Sequence, residues 1–86
     1  MESRITRRFH RLFSDLPLRV QQDAKRAYRL FQIDPAHPSL RFKKLKGEDD
    51  VYSVRIGLDY RAPGVVKASR IIWFWIGSHS EYDRLV

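Results

Sequence analysis

The chain has 86 residues, a length that predicts a single domain over residues 1–86 with a modest core, because short chains bury a smaller share of their surface. Hydrophobic residues make up 43% and aromatic residues 13%, which predicts a folded globular protein and excludes a disordered one. The absence of cysteine excludes disulfides, thiol catalysis and cysteine-ligated zinc, and is compatible with a reducing compartment.

The charge is strongly basic, with 17 Lys and Arg against 10 Asp and Glu and a formal net charge of +7. Such an excess attracts polyanions, and composition alone leaves open a nucleic acid, an acidic protein partner and an anionic membrane surface. The N-terminus lacks the apolar stretch of a signal peptide, and the longest apolar run, residues 71–76, is too short to cross a bilayer. We therefore expect a cytoplasmic protein without a membrane-spanning segment.

Two amphipathic helices are predicted at the start of the chain. The first covers residues 6–15 and the second begins at Pro17, which a first helical turn tolerates. Their apolar stripes are Ile5, Phe9, Leu12, Phe13 and Leu16, then Val20, Ala24, Ala27, Tyr28 and Phe31. Pro35 and Pro38 end the second helix, so the two form a hairpin.

After residue 39 the apolar period changes from 3.6 toward 2, which indicates strands. Leu40 and Phe42 alternate with basic residues in a first strand, and the polar residues 46–50 form a turn. A second strand buries Tyr52, Val54 and Ile56 and presents Ser53, Arg55 and Gly57 on the opposite face. No N-terminal strand is evident.

Two further strands are predicted in the second half of the chain. Residues 60–66 form the third, in which Pro63 implies a sheet edge or a bulge. Residues 71–76 are apolar at every position, which is typical of a central strand covered on both faces, with Trp73 and Trp75 in the core.

The C-terminus has the spacing of a capping box between Ser80 and Asp83. We expect a terminal helical turn with His79 at the end of the preceding strand and Tyr82 in its first turn. The predicted fold is α+β: an N-terminal helical hairpin packed on an antiparallel sheet of three or four strands, followed by this short C-terminal turn.

No sequence motif indicates a metal or a cofactor. The chain has no glycine-rich phosphate loop, no HExxH and no nucleophile elbow, and its three histidines lack metal-ligand spacing. What remains is the open face of the sheet, where Arg55 and Arg61 project near the turn that carries His79 and Tyr82. That grouping suits cleavage of a phosphodiester by the RNA 2′-hydroxyl, which needs proton transfer and cations and requires no cofactor.

Each of these residues also has a purely structural interpretation. His79 suits proton transfer at neutral pH but equally a surface turn. Arg55 and Arg61 match phosphate oxygens bidentately or form surface salt bridges. Tyr82 positions a nucleotide or packs its ring on the sheet edge. The basic segment of Arg41, Lys43, Lys44 and Lys46 follows a nucleic-acid backbone or is simply solvated.

In order and content, these segments resemble the RelE/ParE superfamily of bacterial toxins over nearly the whole chain. The resemblance lies in a basic helical hairpin containing LP and DP, followed by HPSLRFKKL, VYSVRIGLDYRA and IIWFWIGSHSEYDRLV. The sequence departs from the family pattern in lacking a clear N-terminal strand, in carrying Pro63 inside the third strand, and in ending before most of the C-terminal helix of many relatives.

The resemblance implies a toxin of a type II toxin–antitoxin pair. Ribonuclease members of that superfamily cleave messenger RNA, often on the ribosome, and an antitoxin covers the open sheet face or displaces the terminal helix. Carried over by position, Arg55 resembles a substrate-binding residue and Arg61 the phosphate-stabilising arginine of a Tyr-Arg pair. His79 resembles the basic residue after the last strand, and Tyr82 the tyrosine near the C-terminus.

Three functions follow as hypotheses. The first is a metal-independent endoribonuclease that inhibits translation and is restrained by an acidic antitoxin. The second is a ParE-like toxin that inhibits DNA gyrase without nuclease chemistry. The third is an RNA-binding or antitoxin-binding module without catalysis, consistent with the short C-terminus. One scaffold carries several functions, so the fold alone does not separate them.

Overall fold

The computed structural model describes residues 1–47 and 50–85. In chain order its elements are β1 (Glu2–Ile5), α1 (Arg7–Ser14), α2 (Leu18–Ile33), β2 (Lys43–Lys44), β3 (Val51–Ile56), β4 (Tyr60–Lys67), β5 (Arg70–Trp73), β6 (Gly77–Ser78) and α3 (His79–Leu85). Within these residues six strands form one sheet in the order β1-β5-β4-β3-β2, and β6 pairs with β4 on the same side as β5. The α+β class is therefore confirmed, although the sheet has more strands than predicted.

The two N-terminal helices form the predicted hairpin on one face of the sheet. Thr6 caps α1 by accepting a hydrogen bond from the Phe9 backbone N–H, at 3.1 Å. α2 buries Val20, Ala24 and Phe31, and the last two join a core cluster with side chains of β3, β4 and β5. In the two described ranges, no helix has both the length and the apolarity that crossing a membrane requires.

An N-terminal strand, which the sequence does not predict, forms one edge of the sheet. β1 runs parallel to β5, with Ser3 opposite Ile71, so the sheet is mixed and not purely antiparallel. The Arg70 Nε donates to a carboxylate oxygen of Glu2 across this pair, at 2.7 Å. Because β1 is mostly exposed, it lacks the apolar alternation by which a strand is recognised in a sequence.

The first predicted strand is shorter than the alternation of Leu40 and Phe42 indicates, and it begins later. Leu40 belongs instead to a 3-10 turn, Pro38–Leu40, with the proline in its first turn. Arg41 follows in the left-handed conformation, with φ 45°, which interrupts an extended chain. β2 therefore covers only Lys43–Lys44. Residues 48 and 49 of the predicted turn lie outside the described residues.

Pro63 lies in the middle of the sheet, in β4, and not at an edge. Between the β4–β5 and β4–β6 pairs, two residues of β4 face three residues of the opposing segment, 74–76, which makes a β-bulge. The Pro63 carbonyl accepts a hydrogen bond from the Phe74 N–H, at 3.2 Å, so the proline faces this interruption. Proline has no N–H to donate, and at this position the strand pairing on that side is interrupted, so no ladder hydrogen bond is lost.

The bulge also divides the apolar run of residues 71–76. Its first part lies in β5, which is paired on both sides and is therefore interior, as predicted. Both tryptophans are buried, but they have different neighbours. Trp73 joins the core and packs edge-on against Phe31, with ring centroids 5.4 Å apart. Trp75 lies outside that cluster and packs against Tyr82 of α3, at 6.3 Å.

The C-terminal helix α3 has seven residues, and its capping box differs from the predicted one. The Ser78 Oγ accepts a hydrogen bond from the Glu81 N–H, at 3.2 Å. In return the Glu81 carboxylate accepts from the Ser78 N–H, at 3.2 Å, and from the Ser78 hydroxyl, at 2.9 Å. The same spacing occurs two residues later in Ser80 and Asp83, but the helix begins at residue 79, so Ser78 is the cap.

Replacing the cap residue tests this start of α3. We expect Ser78→Ala to lower the free energy of unfolding by about 1 kcal/mol, the usual effect of losing an N-cap. Ser80→Ala should change it by less than about 0.5 kcal/mol, because the Ser80 side chain is exposed and makes only a long contact of 3.4 Å with the Ser78 hydroxyl. Urea unfolding of both variants checks the assignment, and a larger loss in Ser80→Ala would contradict it.

The same pair predicts a pH dependence. The hydrogen bonds from Ser78 lower the pKa of Glu81 below its ordinary value. A carboxylate whose pKa is lowered by folding stabilises the protein fully above its unfolded pKa, and this contribution disappears as the pH falls through the lowered value. The difference between the parent and Ser78→Ala should therefore be complete at pH 7 and shrink in acid.

Candidate functional site

Arg55 and Arg61 lie on the sheet face opposite α1 and α2. They are direct cross-strand partners of β3 and β4, so both side chains leave the sheet on the same side. The residues that alternate with them, Val54 and Ala62, belong to the core beneath the helices. We call the face that carries Ser53, Arg55 and Arg61 the open face.

Arg61 is nearly buried, although it is charged and lies on the open face. Its residue exposure is 9%. The Nη2 donates to the Ser53 Oγ at 3.3 Å, and the Cζ lies 5.4 Å from the centroid of the Tyr82 ring. The Nε is buried and has no hydrogen-bond partner among the residues that the structure describes. The guanidinium thus lies between a hydroxyl of the sheet and an aromatic ring of α3, with donor capacity unused.

Tyr82 covers this guanidinium from the side of α3. The residue is 5% exposed, and within residues 1–47 and 50–85 its buried hydroxyl has no hydrogen-bond partner. Trp75 supports the ring, and the Cβ that Gly77 lacks would lie 2.5 Å from the Trp75 Cη2, so only glycine admits the indole here. Tyr82 packs its ring as the structural interpretation predicts, and it also contacts Arg61.

His79 lies at the rim of this arrangement. It is the first residue of α3, and its backbone N–H donates to the Asp59 carbonyl in the turn between β3 and β4, at 2.6 Å. The side chain is 55% exposed, and the Nε2 lies 3.4 Å from a carboxylate oxygen of Asp83. His79 and Tyr82 are three residues apart on one short helix, so their side chains neighbour each other.

Arg55 is half-buried and is directed along the strand toward the β3–β4 turn. Its Nε donates to the Gly57 carbonyl at 3.0 Å. Gly57 has φ 59°, and a Cβ there would lie 3.3 Å from an oxygen of Asp23, so the turn requires glycine. Arg55 therefore leaves the sheet on the same side as Arg61, but its Nε is engaged by a backbone carbonyl of the turn, and the residue also borders a cavity with Asp23 and Arg26 of α2.

The predicted basic segment is divided between the two faces of the sheet. Lys43 is opposite Ser53 and therefore lies on the open face, whereas Lys44 is opposite Tyr52 and lies on the other. Arg41 and Lys46 flank β2 outside the sheet, and all four cations are exposed. Of this segment, Lys43 shares the face of Arg61.

Ser53 is the residue of this site that the sequence does not single out. It is completely buried, at 0% exposure, although it lies on the open face. A serine that alternates with apolar residues in a strand is ordinary, and its contact with Arg61 depends on the register between β3 and β4. No local pattern predicts that register.

A cavity of about 470 Å³ lies on the opposite side of the sheet, between α1, α2 and the strands. Its lining includes Phe9, Phe13 and Phe31, and none of the four predicted catalytic residues borders it. Among residues 1–47 and 50–85, no three His, Asp or Glu side chains are grouped as a metal site would require.

The unpartnered hydroxyl of Tyr82 makes a testable prediction. We expect Tyr82→Phe to leave the free energy of unfolding unchanged or to raise it, because removing a buried hydroxyl without a partner removes a desolvation cost. Tyr82→Ala should lower it by about 3 to 5 kcal/mol, since the ring contacts of Trp75 and Arg61 are lost. A loss above about 1 kcal/mol in Tyr82→Phe would show that the hydroxyl has a partner in solution.

The comparisons with known proteins agree with this fold. The family model of the ParE-like toxin domain matches residues 18–84. A chain of the RelB–RelE antitoxin–toxin complex from Methanococcus jannaschii superposes with a TM-score of 0.76 at 22% identity, covering 96% of this chain and 99% of that chain. YafQ from Escherichia coli gives 0.75 at 9% identity, with 94% and 96% covered.

The isolated RelE toxin of Escherichia coli superposes with a TM-score of 0.70 at 18% identity, covering 99% of this chain and 98% of that chain. No curated protein sequence matches significantly. The structural likenesses show the fold, and the match over residues 18–84 spans most of the sequence. The chain therefore belongs to the ParE-like toxin domain family, within the RelE/ParE superfamily of toxins.

Proposed function

We propose that the protein is the toxin of a type II toxin–antitoxin pair and acts in the cytoplasm as a metal-independent endoribonuclease on messenger RNA, inhibiting translation. The observation that carries the proposal is the group on the open face: Arg61 fixed between Ser53 and Tyr82, with His79 on the same helix as Tyr82. Membership of the toxin family supports it.

The cleavage proceeds by attack of the RNA 2′-oxygen on the adjacent phosphorus. The bond from phosphorus to the 5′-oxygen breaks, which leaves a 2′,3′-cyclic phosphate and a 5′-hydroxyl. A base removes the 2′ proton, an acid protonates the leaving 5′-oxygen, and cations stabilise the charge on the phosphoryl oxygens. These atoms and protons balance without a cofactor or a metal.

Each predicted residue has a role in this scheme. Arg61 and Arg55 hold the phosphate, since guanidinium forks match its oxygens bidentately. His79 makes one of the two proton transfers, because its exposed imidazole is accessible and Asp83 orients it, with 3.4 Å between the Nε2 and the carboxylate. Solvent water makes the other transfer. Tyr82 positions the scissile nucleotide.

Access to Arg61 requires a movement of Tyr82. An arginine that is 9% exposed does not reach a phosphate while an aromatic ring covers it. In the described part of the chain neither the Arg61 Nε nor the Tyr82 hydroxyl has a hydrogen-bond partner, and an incoming phosphate would supply acceptors for both. In this proposal substrate binding displaces the Tyr82 ring, and the phosphate oxygens accept hydrogen bonds from the unsatisfied donors.

The exposed cations around β2 bind the RNA backbone on either side of the scissile bond. Lys43 lies on the open face, Arg41 and Lys46 flank β2, and Lys44 projects from the opposite face at the edge of the sheet. The net charge of +7 also favours an acidic antitoxin as the second partner. Solved relatives include a RelB–RelE antitoxin–toxin complex, which supports such a partner.

The proposal predicts that the purified protein cleaves messenger RNA in the presence of ribosomes. Arg61→Lys and His79→Ala should each lower the cleavage rate by about a hundredfold or more, the range of acid–base and charge-stabilising groups. Arg61→Lys keeps the positive charge and removes only the planar fork. Arg19→Ala, at an exposed position of α2, is the matched control and should cleave like the parent.

Primer extension on a defined messenger RNA measures the cleavage, and circular dichroism confirms that each variant is folded. Equal cleavage by the parent, Arg61→Lys and His79→Ala would contradict the assignment of these residues. Cleavage by none of the proteins, with or without ribosomes, would contradict the nuclease function itself.

Inhibition of DNA gyrase without nuclease chemistry is the second candidate. The observation that favours it is the burial of Arg61 on the open face. A toxin that only binds its target does not need this guanidinium to be accessible. Inhibited supercoiling with intact RNA would support it. Salt-dependent RNA binding without a cleavage product and without effect on gyrase would instead indicate a binding module without catalysis.

A further inference from the structure

Ser53 is a completely buried hydroxyl on the open face, between β2 and β4. Its cross-strand partners are Lys43 on one side and Pro63 on the other. Buried hydroxyls in folded proteins are almost always hydrogen-bonded, and the Ser53 Oγ accepts from the Arg61 Nη2, at 3.3 Å. The hydroxyl is thus directed at the guanidinium that the proposed function assigns to phosphate binding.

The register of the sheet explains this contact. Arg61 is directly opposite Arg55, and Ser53 lies two residues before Arg55 on the same strand, so Ser53 and Arg61 are diagonal neighbours. Diagonal neighbours on one face are within reach of a long side chain. Arg61 spans the diagonal, and its position is therefore set from the sheet as well as from α3.

The two contacts of Arg61 differ in what happens when a phosphate enters. Tyr82 belongs to α3, and its ring must move before the guanidinium is accessible. Ser53 belongs to β3, which pairs with β4 over six residue pairs, and these pairs hold Ser53 in place when Tyr82 moves. The hydroxyl therefore keeps the Nη2 in place while the Nε and the outer edge of the guanidinium turn to the ligand.

We propose that Ser53 is a positioning residue that holds the Arg61 guanidinium against the sheet, so that its free donors meet a phosphodiester when Tyr82 moves aside. The inference rests on the proposed function for the identity of the ligand. Losing one hydrogen bond to a charged group leaves Arg61 in place but lets its fork rotate, which lowers phosphate affinity without removing the charge.

The test uses a single-stranded oligodeoxyribonucleotide, which lacks the 2′-hydroxyl groups and is therefore not cleaved. We expect Ser53→Ala to weaken its binding by about tenfold, the effect of one hydrogen bond to a charged group. Ser69→Ala, at an exposed position of the turn between β4 and β5, is the matched control and should bind like the parent. Fluorescence anisotropy measures the dissociation constants, and urea unfolding shows whether stability is retained.

A second readout reports the orientation of Arg61 directly and needs no activity. The Nε–Hε resonance of Arg61, identified by its absence in Arg61→Lys, should exchange slowly with water in the parent because the Nε is buried. In Ser53→Ala it should shift and exchange faster. An unchanged resonance together with unchanged affinity would overturn the inference.

The two readouts separate this inference from the proposed function. If the parent binds no single-stranded nucleic acid, the proposed function fails, and the Arg61 resonance alone decides whether Ser53 positions the guanidinium. If the parent binds and Ser53→Ala binds equally well with the same resonance, the function stands and the role of Ser53 is refuted.

Discussion

A cation held beneath an aromatic ring links the sheet of this protein to its C-terminal helix. Arg61 leaves β4 on the open face and contacts Tyr82 of α3. Its Nη2 also donates a hydrogen bond to Ser53, which lies on β3. Burying a guanidinium is costly unless its donors are satisfied, and no described residue accepts a hydrogen bond from the Nε. Contacts of the helix at other points offset this cost.

Those other points are the capping box and the turn between β3 and β4. Ser78 and Glu81 satisfy each other at the start of α3, and the His79 N–H donates to the Asp59 carbonyl. Trp75 fills the space beneath the Tyr82 ring because the bulge opposite Pro63 separates it from the core of Trp73. The bulge between β4 and its partner segment thus positions the side chains against which α3 packs.

The helices and the overall class were predictable from the sequence, and the site was predictable only in part. Apolar spacing locates α1 and α2 because each buries one stripe. It does not locate β1, whose residues are mostly exposed, or the 3-10 turn at Leu40, where a left-handed Arg41 interrupts the alternation. The contact of Arg61 with Ser53 and Tyr82 depends on strand register and on where α3 begins. The same spacing occurs twice, and Ser80 with Asp83 is the predicted pair, whereas the structure caps the helix with Ser78.

The proposed function requires that the Tyr82 ring, which covers the Arg61 guanidinium, moves when nucleic acid binds. In a Trp73→Phe variant, Trp75 is the sole tryptophan and, because it lies 6.3 Å from the Tyr82 ring, reports on the docking of α3. Its fluorescence emission should shift to longer wavelength as a single-stranded oligodeoxyribonucleotide is added. The shift should follow the same binding curve as the fluorescence anisotropy of the labelled oligonucleotide. Emission that stays unchanged when the protein is saturated would contradict the claim.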